Sequence, residues 1–313
     1  MTTPEHQHEM PTVSAVIPFY GDPIETMPLV DALREQGLHE IIVADDCSPH
    51  PFPPVDGVKI VRASANAGFG STVNLGAAQA SGEKILILNS DLSISDNFVT
   101  DLLAAAEPWQ PAVVSPALRE HGRLVATGKR WPSLSRAFCA WLTPLARLRD
   151  TPLWNRLVGH YDISALPAQG TLVDWVVGAC MLVPTSDFRD VGGFDERFFM
   201  NSEEIDLQRR LSARGIRTAL VPSVEVEHAG GGSSDPTRRR QWVVDGQFRY
   251  AAKWAHPALL AAMLLAASTL NFAWNLVRRL RGVPVRPWLT LREECSLVTR
   301  GYRARRGRSV TNA

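Results

Sequence analysis

Cysteine is scarce in this chain. Only Cys47, Cys139, Cys180 and Cys295 occur among 313 residues, and no two form a CxxC pair or join histidines at zinc-ligand spacing. That spacing excludes a disulfide framework and a zinc ribbon, and the four read as reduced thiols of a cytosolic protein. Net charge is nearly absent as well: 33 Lys and Arg against 32 Asp and Glu leave +1, which argues against bulk nucleic-acid binding. Before residue 258 no apolar run is long enough to suggest a membrane span. The opening MTTPEHQHEMP lacks the apolar h-region of a secretory signal, and residues 1–11 are expected to form a disordered leader despite His6 and His8.

What is present is an ordinary globular composition, 45% hydrophobic and 21% charged, with length for one large domain or two modest ones. From residue 12 to 107 short apolar runs alternate with helical stretches. TVSAVIP, EIIVADD, VKIVRA and KILILNSD read as strands. PIETMPLVDALREQG, stopped by Gly37, FGSTVNLGAAQASG, ending near Gly82, and SDNFVTDLLAAAE, with Ser95 as N-cap, read as helices. This alternation predicts an α/β fold whose central, mostly parallel sheet is flanked by helices and binds its ligand at the carboxyl ends of the strands. Polar residues gather at those ends: Tyr20, then Asp45 and Asp46, then Asn66, then Asn89 and Asp91. Each alone is compatible with a turn or cap, but the repetition points to a site.

Residues 117–170 are punctuated by Pro and Trp and show no clear period, so a loop region over the site and an insertion that contacts a partner are both compatible with them. TLVDWVVGACMLVP then reads as β-rich, Gly192-Gly193 as a turn, and Glu203 to Arg214 as a helix with Ser202 as N-cap and Gly215 just past its end. On that helix Glu204 shares a face with Leu207 and Leu211, so it points inward. An inward carboxylate needs either an arginine partner, such as Arg209 or Arg210, or a chemical task.

Taken together, VSAVIPFYGDP, IIVADDCS, NAGFGSTVNLGAAQASGEKILILNSDLSI and the run from VGACMLVP through VGGFDERFFMNSEEIDLQRRLSARG to SVEVEH resemble the inverting family 2 glycosyltransferases of the GT-A fold. The bacterial rhamnosyltransferases that transfer rhamnose from dTDP-rhamnose to lipid-linked N-acetylglucosamine are the closest in pattern. The resemblance implies a GT-A catalytic domain over residues 12–235, with a nucleotide-binding half (12–107) and an acceptor-binding half (108–235), followed by a helical, basic, membrane-proximal extension (236–313). It implies that Asn89-Ser90-Asp91 stands where the family has a DxD-like motif, with Asp91 and His228 as ligands of Mg²⁺ or Mn²⁺. By the same resemblance Asp45 and Asp46 read the base, Pro18, Phe19 and Tyr20 line its pocket, Gly68 allows close approach, and Asn74 sits at the matched polar position. The glycines follow neither the first strand nor a Walker lysine, so neither a P-loop nor a dinucleotide fingerprint fits.

The family places its catalytic base at the second acid of an ED pair. Here the pair is Glu203-Glu204, which makes Glu204 the expected base of a metal-assisted direct displacement, with Asp206 in reserve. Trp175, Gly178, Glu203 and Asp206 are expected around the acceptor, and Asp195 at the pocket edge. The implied partners are a dTDP-sugar donor (or a UDP-sugar), a polyprenyl-diphosphate-linked glycan acceptor and a membrane surface, with no nucleic acid, and a homo-oligomer is left open. A galactofuranosyl or other hexosyl transferase and a catalytically silent nucleotide-sugar-binding scaffold are the alternatives.

The most apolar stretch, residues 258–277, is interrupted by Ser268, Thr269, Asn271 and Asn275. It is followed by Arg278, Arg279, Arg281, Arg286 and further arginines. That pattern fits an interfacial helix anchored to anionic headgroups better than a span, and places the protein on the cytoplasmic side, peripheral to the membrane.

Overall fold

A computed structural model describes residues 10–149, 151–229 and 235–306. The expected leader lies almost wholly outside the described residues. Five strands and three helices make up the first third: Val13–Phe19 (β1), Pro23–Arg34 (α1), Glu40–Asp45 (β2), Val58–Arg62 (β3), Phe69–Ala77 (α2), Lys84–Leu88 (β4), Leu92–Ser93 (β5) and Phe98–Ala106 (α3). The middle contributes Ala112–Glu120 (β6), Arg123–Val125 (β7), Gly128–Lys129 (β8), Leu134–Trp141 (α4) and Pro152–Val158 (α5). Then come Thr171–Val173 (β9), Trp175–Val176 (β10), Cys180–Pro184 (β11), Thr185–Asp190 (α6), Glu203–Ala213 (α7) and Arg217–His228 (β12). Three long helices follow, Pro236–Trp254 (α8), Pro257–Leu280 (α9) and Pro287–Ala304 (α10).

The main sheet runs β3-β2-β1-β4-β11-β6-β12-β5. Strands β1 to β4 are mutually parallel, β6 and β12 are parallel to each other, and β11 enters antiparallel between β4 and β6. Six strands therefore point one way, and their carboxyl ends share an edge. Parallel strands buried on both faces need apolar residues at successive positions, and β1, VSAVIPF, is buried throughout. Its odd positions Ala15, Ile17 and Phe19 pack with Leu29 and Leu33 of α1 and Phe98 and Leu102 of α3, whereas Val16 faces Val73 and Ala77 of α2. Full burial of a side chain such as Phe98 contributes about 1.5–3 kcal/mol.

Two boundaries differ from expectation. α3 starts at Phe98 rather than after Ser95, and its N-cap residue Asn97 makes no side-chain cap bond. Gln36, just past α1, supplies the missing acceptor, taking the Val99 N–H at 2.8 Å and donating to the Ser95 carbonyl at 2.9 Å. A helix start satisfied from another element leaves no local signal. α2 ends at Ala77, five residues before Gly82.

The unperiodic middle segment divides its work. β6 is a core strand, while α4 packs on α9 through Trp141, whose indole N–H donates to Ser268 at 2.9 Å. Helices α4, α8, α9 and α10 enclose a separate small core of Val244, Phe248, Leu260, Leu264 and Val298.

Candidate active site

Tyr20 stands exposed (41%) at the end of β1, whereas Pro18 and Phe19 are buried within the strand, and Phe19 meets the Phe52 ring edge-on at 5.1 Å. Of that trio only Tyr20 is presented to a ligand; Pro18 shapes the strand beneath it. The acids of the second strand are committed inside the protein. Asp45 is 1% exposed and accepts from Ser48 N at 2.7 Å, Phe52 N at 3.2 Å and the Arg62 guanidinium. It holds the loop after β2 and ties it to β3, so the expected base-reading role does not follow from its placement. Asp46 accepts from Ala67 N at 2.7 Å and Gly68 N at 2.9 Å. Burial raises its carboxyl above the usual range against those bonds.

Asn74 is likewise spoken for. Its amide grips the Phe194 backbone at both ends, with Nδ2 donating to Phe194 O at 2.9 Å and Oδ1 accepting from Phe194 N at 2.8 Å. Gly68 (φ +86°) is needed because a Cβ there would overlap the Phe199 carbonyl. The close approach that Gly68 permits is thus to the chain's own 194–200 loop. Asp46, Gly68 and Asn74 form one scaffold that pins this loop.

At the end of β4 the picture is different. Asn89, Ser90 and Asp91 are half-buried, and Asp91 Oδ1 faces His228 Nε2 at 3.1 Å. Asn89 lies 3.4 Å from the same nitrogen. His228 ends β12 directly beside Glu120 at the end of β6, and its Nδ1 stands 3.2 Å from Glu120 Oε1. The Asp91 hydrogen bond, then Glu120, raises the imidazole pKa against burial. Glu120 is a residue the sequence reading missed; the parallel register of β6 and β12 places it, and nothing local announces it. A carboxylate holding one ring nitrogen while the other faces a second carboxylate is the usual support of a metal-binding histidine.

The second half of the site sits on α7. Glu203 is 4% exposed and its Oε2 has no hydrogen-bond partner. Burial, then the charge of Glu204, raises its carboxyl well above the usual range. Glu204 is half-buried and also raised, chiefly by burial, with Lys129 pulling the other way. Burial thus raises both adjacent carboxyls, Glu203 further than Glu204. Lys129, on β8, is a further residue that the sequence reading did not single out; its Nζ lies 5.2 Å from the Trp175 ring centre. Burial lowers its pKa, and Glu204 opposes that shift.

Trp175 is 7% exposed and donates its indole N–H to Arg130 O at 3.0 Å, packing with Phe198, Ile205 and Tyr250. It supports the site from beneath rather than offering a face to a sugar. Asp206 is fully buried, paired with Arg210 (2.8 Å) and Lys253 (2.8 Å), and accepts from Trp254 Nε1 at 2.7 Å. With its oxygens saturated it is neither an acceptor contact nor a reserve base. Asp195 pairs with Arg197 and Lys253 at the surface.

One connection joins the two halves. The Asn89 N–H donates to Ala179 O at 2.8 Å, and the neighbouring Gly178 lies against Glu204, whose Cβ would be 3.4 Å from a methyl built there. β11, paired antiparallel with β4, thus brings the base candidate to the edge where Asp91 emerges.

Comparison with known proteins follows the same outline. The family model described as glycosyl transferase family 2 matches residues 14–157. The N-acetylglucosaminyl-diphospho-decaprenol L-rhamnosyltransferase of Mycobacterium tuberculosis is 31% identical over 208 residues, 60% of this chain and 66% of that protein. Residues 14–157 are thus similar to glycosyl transferase family 2. Its match to the mycobacterial relative spans just under two thirds of that protein's length. Rhamnosyltransferase WbbL of Escherichia coli K12 is 41% identical over a shorter stretch of 85 residues, 26% of this chain and 32% of that one. Among solved structures, a mannosyltransferase from Pyrobaculum calidifontis in complex with GDP-Man and Mn²⁺ superposes with a TM-score of 0.56 at 15% identity, covering 95% of this chain and 88% of that chain. The shared architecture is the GT-A fold of this family, with a mixed sheet and flanking helices.

Proposed function

We propose that this protein is an inverting family 2 glycosyltransferase that moves a deoxyhexose, L-rhamnose, from a dTDP-sugar to a polyprenyl-diphosphate-linked glycan. The observation that carries the reading is the shared edge: the Asp91–His228 pair at the end of β4 and Glu204 on α7, joined through Ala179 and Gly178. The names of the mycobacterial and E. coli relatives support rhamnose and a lipid-linked acceptor.

Asp91 and the Nε2 of His228 would hold a divalent cation, Mg²⁺ or Mn²⁺, with Glu120 orienting the ring. A cation held by these two side chains would take its remaining ligands from phosphate and water. Such an ion supplies Lewis-acid neutralisation of charge on the departing diphosphate. The chain's own step is proton removal. The acceptor hydroxyl oxygen forms a bond to the anomeric carbon as the bond from that carbon to the diphosphate oxygen breaks. The electron pair leaves with the diphosphate, and the hydroxyl proton passes to Glu204.

A donor panel tests this reading. Purified protein with Mg²⁺ or Mn²⁺ and N-acetylglucosaminyl-diphospho-decaprenol in detergent is expected to turn over dTDP-rhamnose and leave UDP- and GDP-sugars largely intact. Turnover of a UDP-hexose instead would make it another hexosyltransferase, and donor binding without any turnover would make it a scaffold.

The membrane is reached through α9, the one described helix long and apolar enough to cross a bilayer. Ser268, Asn271 and Asn275 do not interrupt its outer surface, because all three are buried. Ser268 meets Trp141, while Asn271 accepts from Thr143 N at 2.7 Å and donates to Glu294 at 3.1 Å. The opposite face, with Leu259, Leu265, Leu270, Leu276 and Leu280 exposed, carries Thr269 as its polar residue, and that hydroxyl bonds back to Leu265 O at 3.0 Å. A helix with one face tied to protein and one apolar face lies on a bilayer rather than across it. Exposed Trp288 and the exposed arginines 279, 281, 286 and 292 border this face, so a second copy would bring like charges together whereas anionic headgroups complement them. This arrangement supports peripheral association with the inner face of the cell membrane. Co-sedimentation with phosphatidylglycerol vesicles is expected at low salt and is expected to weaken as salt rises. Leu270→Glu should abolish it, and equal binding to purely zwitterionic vesicles would count against the arginine rim.

A further inference from the structure

We infer that helix α8 is a positioning element for the catalytic carboxylate, so that the C-terminal helices belong to the catalytic assembly rather than serving as a detachable anchor. The inference rests on the reading of Glu204 as base. Glu204 follows a turn in which two successive non-glycine residues, Asn201 (φ +70°) and Ser202 (φ +72°), hold the left-handed conformation. Such residues persist only where their surroundings over-determine them. Here the surroundings are α8. Gly246 lies so close that a Cβ there would overlap the Asn201 carbonyl and stand 3.0 Å from Ser202 Oγ.

A second grip lies two turns further along the same helix. Lys253 Nζ bridges Asp206 (2.8 Å) and Asp195 (3.0 Å), and Trp254 Nε1 donates to Asp206. Asp206 in turn sends its backbone N–H to Ser202 O at 3.1 Å. Glu204 thus sits midway between two points, residues 201–202 and residue 206, both held by α8. The approach to the turn leans on the same helix, with the Phe199 ring 5.4 Å from that of Trp242. Among the described residues, the partners of Asp91 come from the end of β12 and the residue after it, not from α8. The grip is therefore specific to the base half of the site, and its loss should appear in turnover rather than in donor binding.

The test uses the full-length protein with dTDP-rhamnose, Mn²⁺ and N-acetylglucosaminyl-diphospho-decaprenol in detergent. Gly246→Ala is expected to lower kcat tenfold or more, with dTDP-rhamnose Kd within twofold of wild type by calorimetry. Lys253→Met removes a cation beside the first turn of α7 without a steric clash. It should lower kcat and move the rising limb of kcat against pH to higher pH, because Glu204 then ionises in a more negative field. Thermal melts accompany each variant, and assays are run well below each Tm. If Gly246→Ala does not fold, Lys253→Met decides alone. Unchanged kcat and an unmoved pH limb would overturn the inference, as would losses that vanish once the variant is fully folded. Failure of the base reading shows separately, since Glu204→Gln would then retain turnover whatever the α8 variants do.

Discussion

Glu204→Gln abolishes transfer, lowering kcat by about 10²–10⁴-fold as loss of a positioned general base does, and leaves donor affinity nearly unchanged. The amide keeps the shape of the side chain against Gly178 and keeps the packing of α7, so what is removed is the capacity to take a proton. Burial raises the Glu204 carboxyl above its ordinary value, as it does that of Glu203 beside it. Turnover should accordingly climb with pH through this elevated value and level off above it. The stability consequence has the opposite sense. A carboxyl whose folded-state pKa exceeds the unfolded one contributes fully to stability below the unfolded pKa, and the contribution is lost as pH rises through the folded pKa. Near neutral pH, where the base must be ionised to act, the glutamine variant should melt at a higher temperature than wild type. A variant that still turns over, or one that melts lower at neutral pH, argues that this carboxylate is a structural partner.

The second large effect falls on the donor. Asp91→Asn should erase the metal dependence of dTDP-sugar binding, with a loss at least on the order of the 10–100-fold that even a supporting partner of a metal ligand is worth. Amide oxygen is a weaker ligand for a hard cation than carboxylate, and the change also removes the charge opposite His228 Nε2. Titrating Mn²⁺ into protein plus donor, by calorimetry, separates the two halves of the site. The Asp91 variant should lose the metal-dependent step, and the Glu204 variant should keep it. An unaltered titration for Asp91→Asn would remove this residue from the ligand set.

Much of this arrangement was legible before any coordinate. The short apolar runs and intervening helices marked the strands β1 to β4, and the acid after KILIL fell at the carboxyl edge as parallel topology requires. Glu204 was readable from its spacing to Leu207 and Leu211, both of which are fully buried. What was not legible shares one cause. Asp45 looked available for a base until Arg62, seventeen residues on, and the Ser48 and Phe52 amides occupied it. Asn74 looked like a donor contact until Phe194, 120 residues away in sequence, took both ends of its amide. Lys129 and Glu120 went unnoticed because each acquires its chemical neighbour only through strand pairing, with β10 and with β12.

The C-terminal helices show the same division in reverse. Read along the chain, Ser268, Asn271 and Asn275 spoil an apolar segment; wound into α9, they share one buried side, from which Ser268 bonds to α4 and Asn271 to α4 and α10. By itself the amino-acid sequence determined the order of elements, the inward face of α7 and the position of an acid at a strand end, because these depend on local periodicity of two or 3.6 residues. Tertiary structure alone decided which polar groups remain available for chemistry, because a side chain's hydrogen-bonding capacity is consumed by whatever packs against it, and those neighbours arrive from distant parts of the chain.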